Sequence, residues 1–256
     1  MRDAKIRTDE FLDGAGLLVT LEAPKGNVLD AAMMADLARL LDAARARPGL
    51  KALCFTGAGD HFSFGASVAE HVKERAPAML AAFHGLFIRL ANLAVPTIAA
   101  VRGRCLGGGL ELAAFCNRVI AHPAALLGQP EIQLGVVPPV AAVLLPFRLG
   151  QGGADDLILS GRTVAAPDAF ALGLVDELAD DPVAAATAWA TRELGPKSAS
   201  SLRYAVRAAR QGLYRALREE LPALERLYLD GLMDTHDANE GLAAFLEKRP
   251  PRYTNA

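Results

Sequence analysis

Apolar residues follow two rhythms along this chain. In the first part, short apolar, β-branched runs alternate with stretches at helical spacing; in the last third only the helical rhythm remains. Residues 4–22 carry two extended stretches around the turn Asp13-Gly14-Ala15-Gly16, and Leu17-Leu18-Val19-Thr20-Leu21 is the clearer strand. Pro24-Lys25-Gly26-Asn27 breaks it. Asp30 then offers a side-chain oxygen to the open amides of a helix start, with Met33, Met34, Leu37, Leu40 and Leu41 at helical spacing behind it. Pro48-Gly49 ends that helix, 50–56 reads as a short buried strand and 57–60 as a loop. A long helical pattern over 77–92 leads into a buried strand over 95–101. Residues 119–121 form another strand, 126–135 is mostly loop, and Pro138-Pro139 starts a helix through Leu149. From Gly150 onward the chain reads as helical, over 151–159, 166–172, 182–194, 196–211, 213–235 and 238–247, with Gly161, Gly173 and Pro196 between segments. The pattern predicts an α/β core followed by a helical C-terminal region. Helices with apolar faces at a chain end often pack on another subunit, so an oligomer is expected.

Composition narrows the classes. Hydrophobic residues make up 52% of the 256 residues and charged residues 22%, as in a globular protein with a sizeable core. The net charge is -2 with no block of like charges, so neither a nucleic-acid partner nor a membrane surface is expected. Met1-Arg2-Asp3-Ala4-Lys5 opens no apolar run, so no secretory leader is expected. The stretch 78–100 comes closest to a membrane span, but His84, Arg89 and Asn92 interrupt it. Cys54, Cys105 and Cys116 are odd in number and lie in apolar surroundings, which reads as reduced core thiols in a cytoplasmic protein.

Candidate chemistry is reached largely by elimination. His61, His71, His84, His122 and His236 are scattered without ligand spacing, so no metal is expected. No serine sits in a nucleophile elbow, and Cys105 and Cys116 have no histidine partner in the sequence. Gly107-Gly108-Gly109 lacks the spaced glycines of a dinucleotide fingerprint. These glycines do sit where a strand turns into a helix. There the free amides of the helix start can hold a phosphate, or an oxygen that becomes anionic during a reaction. Glu111 follows in the first turns of that helix, and Glu131 lies just after Pro130 among apolar neighbours. One carboxyl holding its proton and another left ionised, around one water, can add that water to a substrate or remove it.

Phe64-Gly65-Ala66, Leu106-Gly107-Gly108-Gly109-Leu110-Glu111 and 128–135 (GQPEIQLG) resemble the crotonase, or enoyl-CoA hydratase/isomerase, family. Pro24-Lys25-Gly26-Asn27-Val28-Leu29 and Phe245-Leu246-Glu247-Lys248-Arg249 match it too, in the family's order over nearly the whole chain. The resemblance implies a spiral of ββα turns over 1–195 and a C-terminal helical trimerisation region over 196–256, with two trimers commonly stacked as a hexamer. It implies an acyl-CoA substrate whose CoA is carried in with it, and no separate cofactor. It further implies an oxyanion hole from the amides of Ala66 and Gly108, and a water held by Glu111 and Glu131. CoA contacts are implied near Lys25, Asn27, Val28 and Ala66, with Phe245 and Lys248 supplied by a neighbouring subunit.

Two departures stand out. Ser67 replaces a frequent aspartate, and 136–146 (VVPPVAAVLLP) replaces a glycine-rich stretch, which makes the acyl pocket more apolar and stiffer. Residues 62–71, 105–111, 198–203, 223–229 and 237–241 resemble a branch of the family that adds water across a cyclic 1,5-dienoyl-CoA in anaerobic aromatic degradation. Ordinary 2-enoyl-CoA hydration and a non-catalytic CoA- or RNA-binding role are the alternatives; the retained glutamates disfavour loss of catalysis.

Overall fold

The computed structural model describes residues 4–256; Met1, Arg2 and Asp3, on which the leader expectation partly rests, lie outside them. β1 (Ile6–Phe11) and β2 (Gly16–Leu21) form an antiparallel hairpin, with Ile6 opposite Leu21. From β2 onward the main sheet is parallel. β2 pairs with β3 (Ala52–Gly57), β3 with β4 (Thr97–Val101), β4 with β6 (Arg118–Ala121) and β6 with β9 (Glu177–Leu178). A second sheet orders β5 (Arg104–Leu106), β7 (Leu126–Gly128) and β8 (Thr163–Ala165).

Parallel neighbours need crossovers, and helices supply them. After α1 (Pro24–Asn27), a single irregular turn, α2 (Ala31–Ala44) connects β2 to β3 and α3 (Ala76–Leu93) connects β3 to β4. α4 (Gly108–Phe115) leads from β5 to β6. The result is the expected ββα spiral. α5 (Pro139–Ser160), α6 (Ala166–Ala171) and α7 (Pro182–Glu193) follow, and α8 (Ala199–Ala209), α9 (Gln211–Arg226) and α10 (His236–Glu247) close the chain.

Local chemistry sets the boundaries. Asp30 Oδ1 accepts from the Met33 amide at 3.0 Å, so α2 starts where the sequence places it. Every residue of α4 is buried. A buried helix end leaves carbonyls without partners; Arg210 meets this need, donating to the Phe115 carbonyl and, at 2.8 Å, to that of Cys116. α4 is thereby fixed at its far end while its first turn faces the site.

Several expectations change. β8 and β9 interrupt the region read as wholly helical, and 126–135 is a strand followed by a single 3₁₀ turn, Pro130–Leu134, not mostly loop. Strands of two or three residues are too short to show a period. The helices over 138–149 and 151–159 are one bent element, kinked at Gly150 (φ +70°). The helix read over 213–235 ends at Arg226, and a π turn (Leu227–Gly231) and a 3₁₀ turn (Leu232–Asp234) follow. Finally, α3 is long and apolar enough to cross a membrane by length and mean hydropathy (1.3), contrary to the reading of 78–100. Its buried face includes Met79, Leu80, Phe83, Phe87 and Leu90, as in the core helix of a globular fold.

Candidate active site

The glycine turn is built by close approach. Gly107 sits at φ +52° and ψ -128°, a conformation that favours glycine, and its amide donates to the Gly128 carbonyl at 2.9 Å. Gly108 opens α4, so its own amide has no partner inside the helix. Across from it, Gly65 has φ +93°, and a Cβ there would stand 2.8 Å from the Leu106 carbonyl oxygen and 3.0 Å from the Gly108 nitrogen. A Cβ on Gly108 would stand 3.2 Å from the Ala66 nitrogen. Leu29 bridges to this strand through the Gly65 carbonyl (2.9 Å), which leaves the Ala66 amide outside that bond. The two backbone segments named from the sequence are therefore in direct apposition.

Ala66, Gly108, Glu111 and Glu131 all line one cavity of about 600 Å³, open mouth included. Its walls are largely apolar: Met79, Leu80 and Phe83 come from α3, and Val136, Val137 and Pro138 from the segment before α5. The apolar, proline-stiffened wall is where the sequence puts it.

Both carboxyls are set in low-dielectric surroundings. Glu111 is 4% exposed, and its Oε1 accepts from the Ala141 amide at 2.6 Å. Burial, then the charge of Glu131, holds the Glu111 pKa well above the usual carboxylate range, against the Ala141 hydrogen bond. Glu131 lies in the 3₁₀ turn; Gln129 Nε2 donates to its Oε1 at 3.1 Å, while its Oε2 is buried without a partner. Burial pushes Glu131 up to about 7, opposed by hydrogen bonds from its own backbone and from Gln129. Burial of both carboxyls beside one another favours a pair that carries one proton between them.

The implied CoA residues are placed differently. Lys25 is exposed, beside a surface groove formed by 22–27 and 58–61. Asn27 lines that groove too, but its side chain is engaged inside the fold. Its Oδ1 accepts from the Ala23 amide, and its Nδ2 donates to the carbonyls of Ala58, His61 and Phe62. The side-chain role is thus to shape the loop. Val28 is half-buried next to the Leu29–Ala66 bridge. Phe245 and Lys248 are exposed at the end of α10 and line neither the cavity nor the groove.

Further polar side chains, among them residues of the 62–71 motif, stand at or near the cavity. Ser63 Oγ donates to the Asn27 carbonyl (2.8 Å) and accepts from the Gly65 amide (3.1 Å), linking the two loops. His71 lines the cavity with Nδ1 2.8 Å from the Ser67 carbonyl, whereas Glu70 accepts from the Ala31 amide at the start of α2. His84 and Tyr228 also line the cavity. Helical spacing gives no sign of any of these, because it shows which face is apolar and not which polar atom lacks a partner.

Comparison with known proteins agrees with this architecture. The family described as enoyl-CoA hydratase/isomerase matches residues 14–256. The chain is 47% identical over 243 residues to cyclohexa-1,5-dienecarbonyl-CoA hydratase of Thauera aromatica, covering 95% of this chain and 94% of that protein. It is 38% identical to a probable enoyl-CoA hydratase of Mycobacterium bovis, covering 93% and 94%. The crystal structure of carnitinyl-CoA hydratase from Mycobacterium avium superposes with a TM-score of 0.87 at 29% identity, over 100% of both chains. The chain belongs to the enoyl-CoA hydratase/isomerase family.

Proposed function

We propose that this protein is a hydro-lyase that reversibly adds water to cyclohexa-1,5-diene-1-carbonyl-CoA, giving 6-hydroxycyclohex-1-ene-1-carbonyl-CoA in anaerobic benzoyl-CoA breakdown. The observation that carries this reading is the meeting of Glu111, Glu131 and the Ala66 and Gly108 amide segments in one apolar cavity. The relative from Thauera aromatica supports the choice of a cyclic substrate.

In this reading the thioester oxygen accepts from the Ala66 and Gly108 amides. Glu111 takes a proton from water, which attacks the ring carbon β to the carbonyl. The electron pair moves onto a dienolate held by the two amides, and protonated Glu131 delivers a proton at the far end of the diene. The remaining double bond ends between the carbonyl-bearing ring carbon and its other ring neighbour, so atoms and charge balance. Each fixed amide is worth about 3 kcal/mol of barrier, because it is oriented before the charge forms. The Ala141 amide on Glu111 and the Gln129 side-chain amide on Glu131 each favour the ionised form, so the acid and base labels of the two glutamates can be swapped or shared through the water.

CoA's nucleotide part lies, on this reading, along the groove beside Lys25, with Phe245 and Lys248 of α10 reaching a neighbouring subunit's CoA. Tyr204 (70% exposed), Leu227 (57%) and Phe245 (54%) offer apolar surface for a trimer or a hexamer of stacked trimers. Cys54, Cys105 and Cys116 are buried and unpaired, which suits a reducing cytoplasm.

Side-by-side turnover of the cyclic dienoyl-CoA and crotonyl-CoA tests the proposal. A clear preference in kcat/KM for the cyclic substrate is expected. A preference for crotonyl-CoA would make the protein an ordinary 2-enoyl-CoA hydratase, and turnover of neither would remove the hydratase reading.

A further inference from the structure

Among the described residues, three buried polar atoms on the lining of the acyl cavity have no hydrogen-bond partner: Glu131 Oε2, His84 Nε2 and Tyr228 Oη. Glu131 belongs to the water-handling pair. The other two lie outside that pair, and an unpaired buried donor or acceptor is destabilising unless a ligand completes it.

His84 is 4% exposed, and its Nδ1 stands 2.5 Å from Glu225 Oε1. A carboxylate only accepts, so Nδ1 carries the hydrogen and Nε2 presents a lone pair. Burial keeps the imidazole neutral, lowering its pKa against the opposing pull of Glu225. Tyr228 has no exposed surface and sits on the π turn that follows α9. Such turns re-aim a side chain that a continuous helix would send elsewhere. Burial, then the charge of Glu131, keeps the phenol protonated, so it can donate. The residues lining the cavity thus carry an unused acceptor and an unused donor in addition to the glutamates. A hydroxyl group is their chemical complement, since it donates one hydrogen and accepts at its lone pairs.

We propose that His84 and Tyr228 form a hydroxyl-recognition subsite: the hydroxyl of the hydrated acyl group donates to His84 Nε2 and accepts from Tyr228 Oη, with Glu225 as a positioning residue that fixes the imidazole tautomer. This deepens the hydratase reading and rests on it for the identity of the ligand. The subsite binds the hydroxylated acyl group more tightly than the unsaturated one.

Equilibrium binding of an unreactive pair, 2-hydroxybenzoyl-CoA and benzoyl-CoA, provides the test. The wild-type protein should bind the hydroxylated thioester about tenfold more tightly. In Tyr228→Phe and in Glu225→Gln that preference should fall to about twofold or less, with benzoyl-CoA affinity nearly unchanged. The proposal is overturned if the wild type shows no preference, if the preference survives in both variants, or if a variant weakens both ligands equally. Hydration of the cyclic dienoyl-CoA is assayed separately. A wild type that shows the hydroxyl preference but no hydration leaves the subsite standing and removes the functional reading.

Discussion

Gly107 and Glu131 are so close that a single added carbon would displace the carboxyl. A Cβ on Gly107 would stand 2.5 Å from Glu131 Oε1, and Gly107 has a positive φ of +52°. The glycine therefore serves two needs at once, the turn into α4 and room for the acid. Gly107→Ala should lower stability by about 1–3 kcal/mol through backbone strain. It should also lower kcat by about tenfold or more, since displacement of a catalytic group by about 1 Å is costly. Thermal unfolding and steady-state kinetics on the cyclic dienoyl-CoA check both; an unchanged kcat would mean that Glu131 works from a position the glycine does not control.

Removing either carboxyl's acid–base capacity while keeping its shape isolates the chemistry. Glu111→Gln and Glu131→Gln should each reduce kcat by about 10²–10⁴-fold. Affinity for an unreactive acyl-CoA should stay nearly constant, because the thioester is held by backbone amides in the proposed mechanism. Near-wild-type hydration by either variant would defeat the two-carboxyl mechanism.

The raised carboxyls also dictate pH behaviour. In the proposed mechanism the glutamate pair carries one proton, so activity should fall as the pH drops below about 7, where both become protonated and no base remains. At high pH loss of the shared proton ends activity again, giving a bell in kcat/KM. Stability follows a separate rule. The folded-state pKa of Glu131 lies above its ordinary value of 4.5, so its contribution is fully present below that value and is lost as pH rises toward 7. Glu131→Gln should therefore be more stable than wild type at pH 8, with the difference shrinking toward pH 5. Denaturant titrations at the two pH values measure it, and a constant difference would show that the carboxyl is not desolvated as described.

Much of this site is legible from residue order. The glycine turn, Glu111 and Glu131 are carried by short motifs whose backbone demands are local, and the spiral follows from alternating apolar runs. The partners of the carboxyls are not legible. Ala141 meets Glu111 across 30 positions, and Glu225 meets His84 across 141. Nothing local to either residue encodes such a pairing. His84 reads from sequence as an interruption in an apolar helix, whereas in the fold it is a cavity-lining residue with a buried, unpartnered nitrogen. The short strands β8 and β9 are invisible for a different reason. Their residues are fixed by pairing with β7 and β6, not by their own periodicity.

Asn27 allows a sharp test between direct ligand contact and scaffolding. Its Nδ2 lies at 3.0, 2.9 and 3.2 Å from the carbonyls of Ala58, His61 and Phe62, and its own carbonyl accepts from Ser63, which in turn accepts from the Gly65 amide. Asn27→Asp preserves size and the left-handed backbone (φ +53°) but turns the donor toward three carbonyls into an acceptor. Stability should fall by about 1–3 kcal/mol. The Gly65–Ala66 segment should shift with the loop, raising KM for the acyl-CoA and lowering kcat together. Lys25→Ala, at an exposed position, should raise KM while leaving the unfolding midpoint and kcat nearly unchanged. Thermal melts and kinetics on the two variants separate the roles: if Asn27→Asp raises KM without any loss of stability, Asn27 is a ligand contact and the loop does not depend on it.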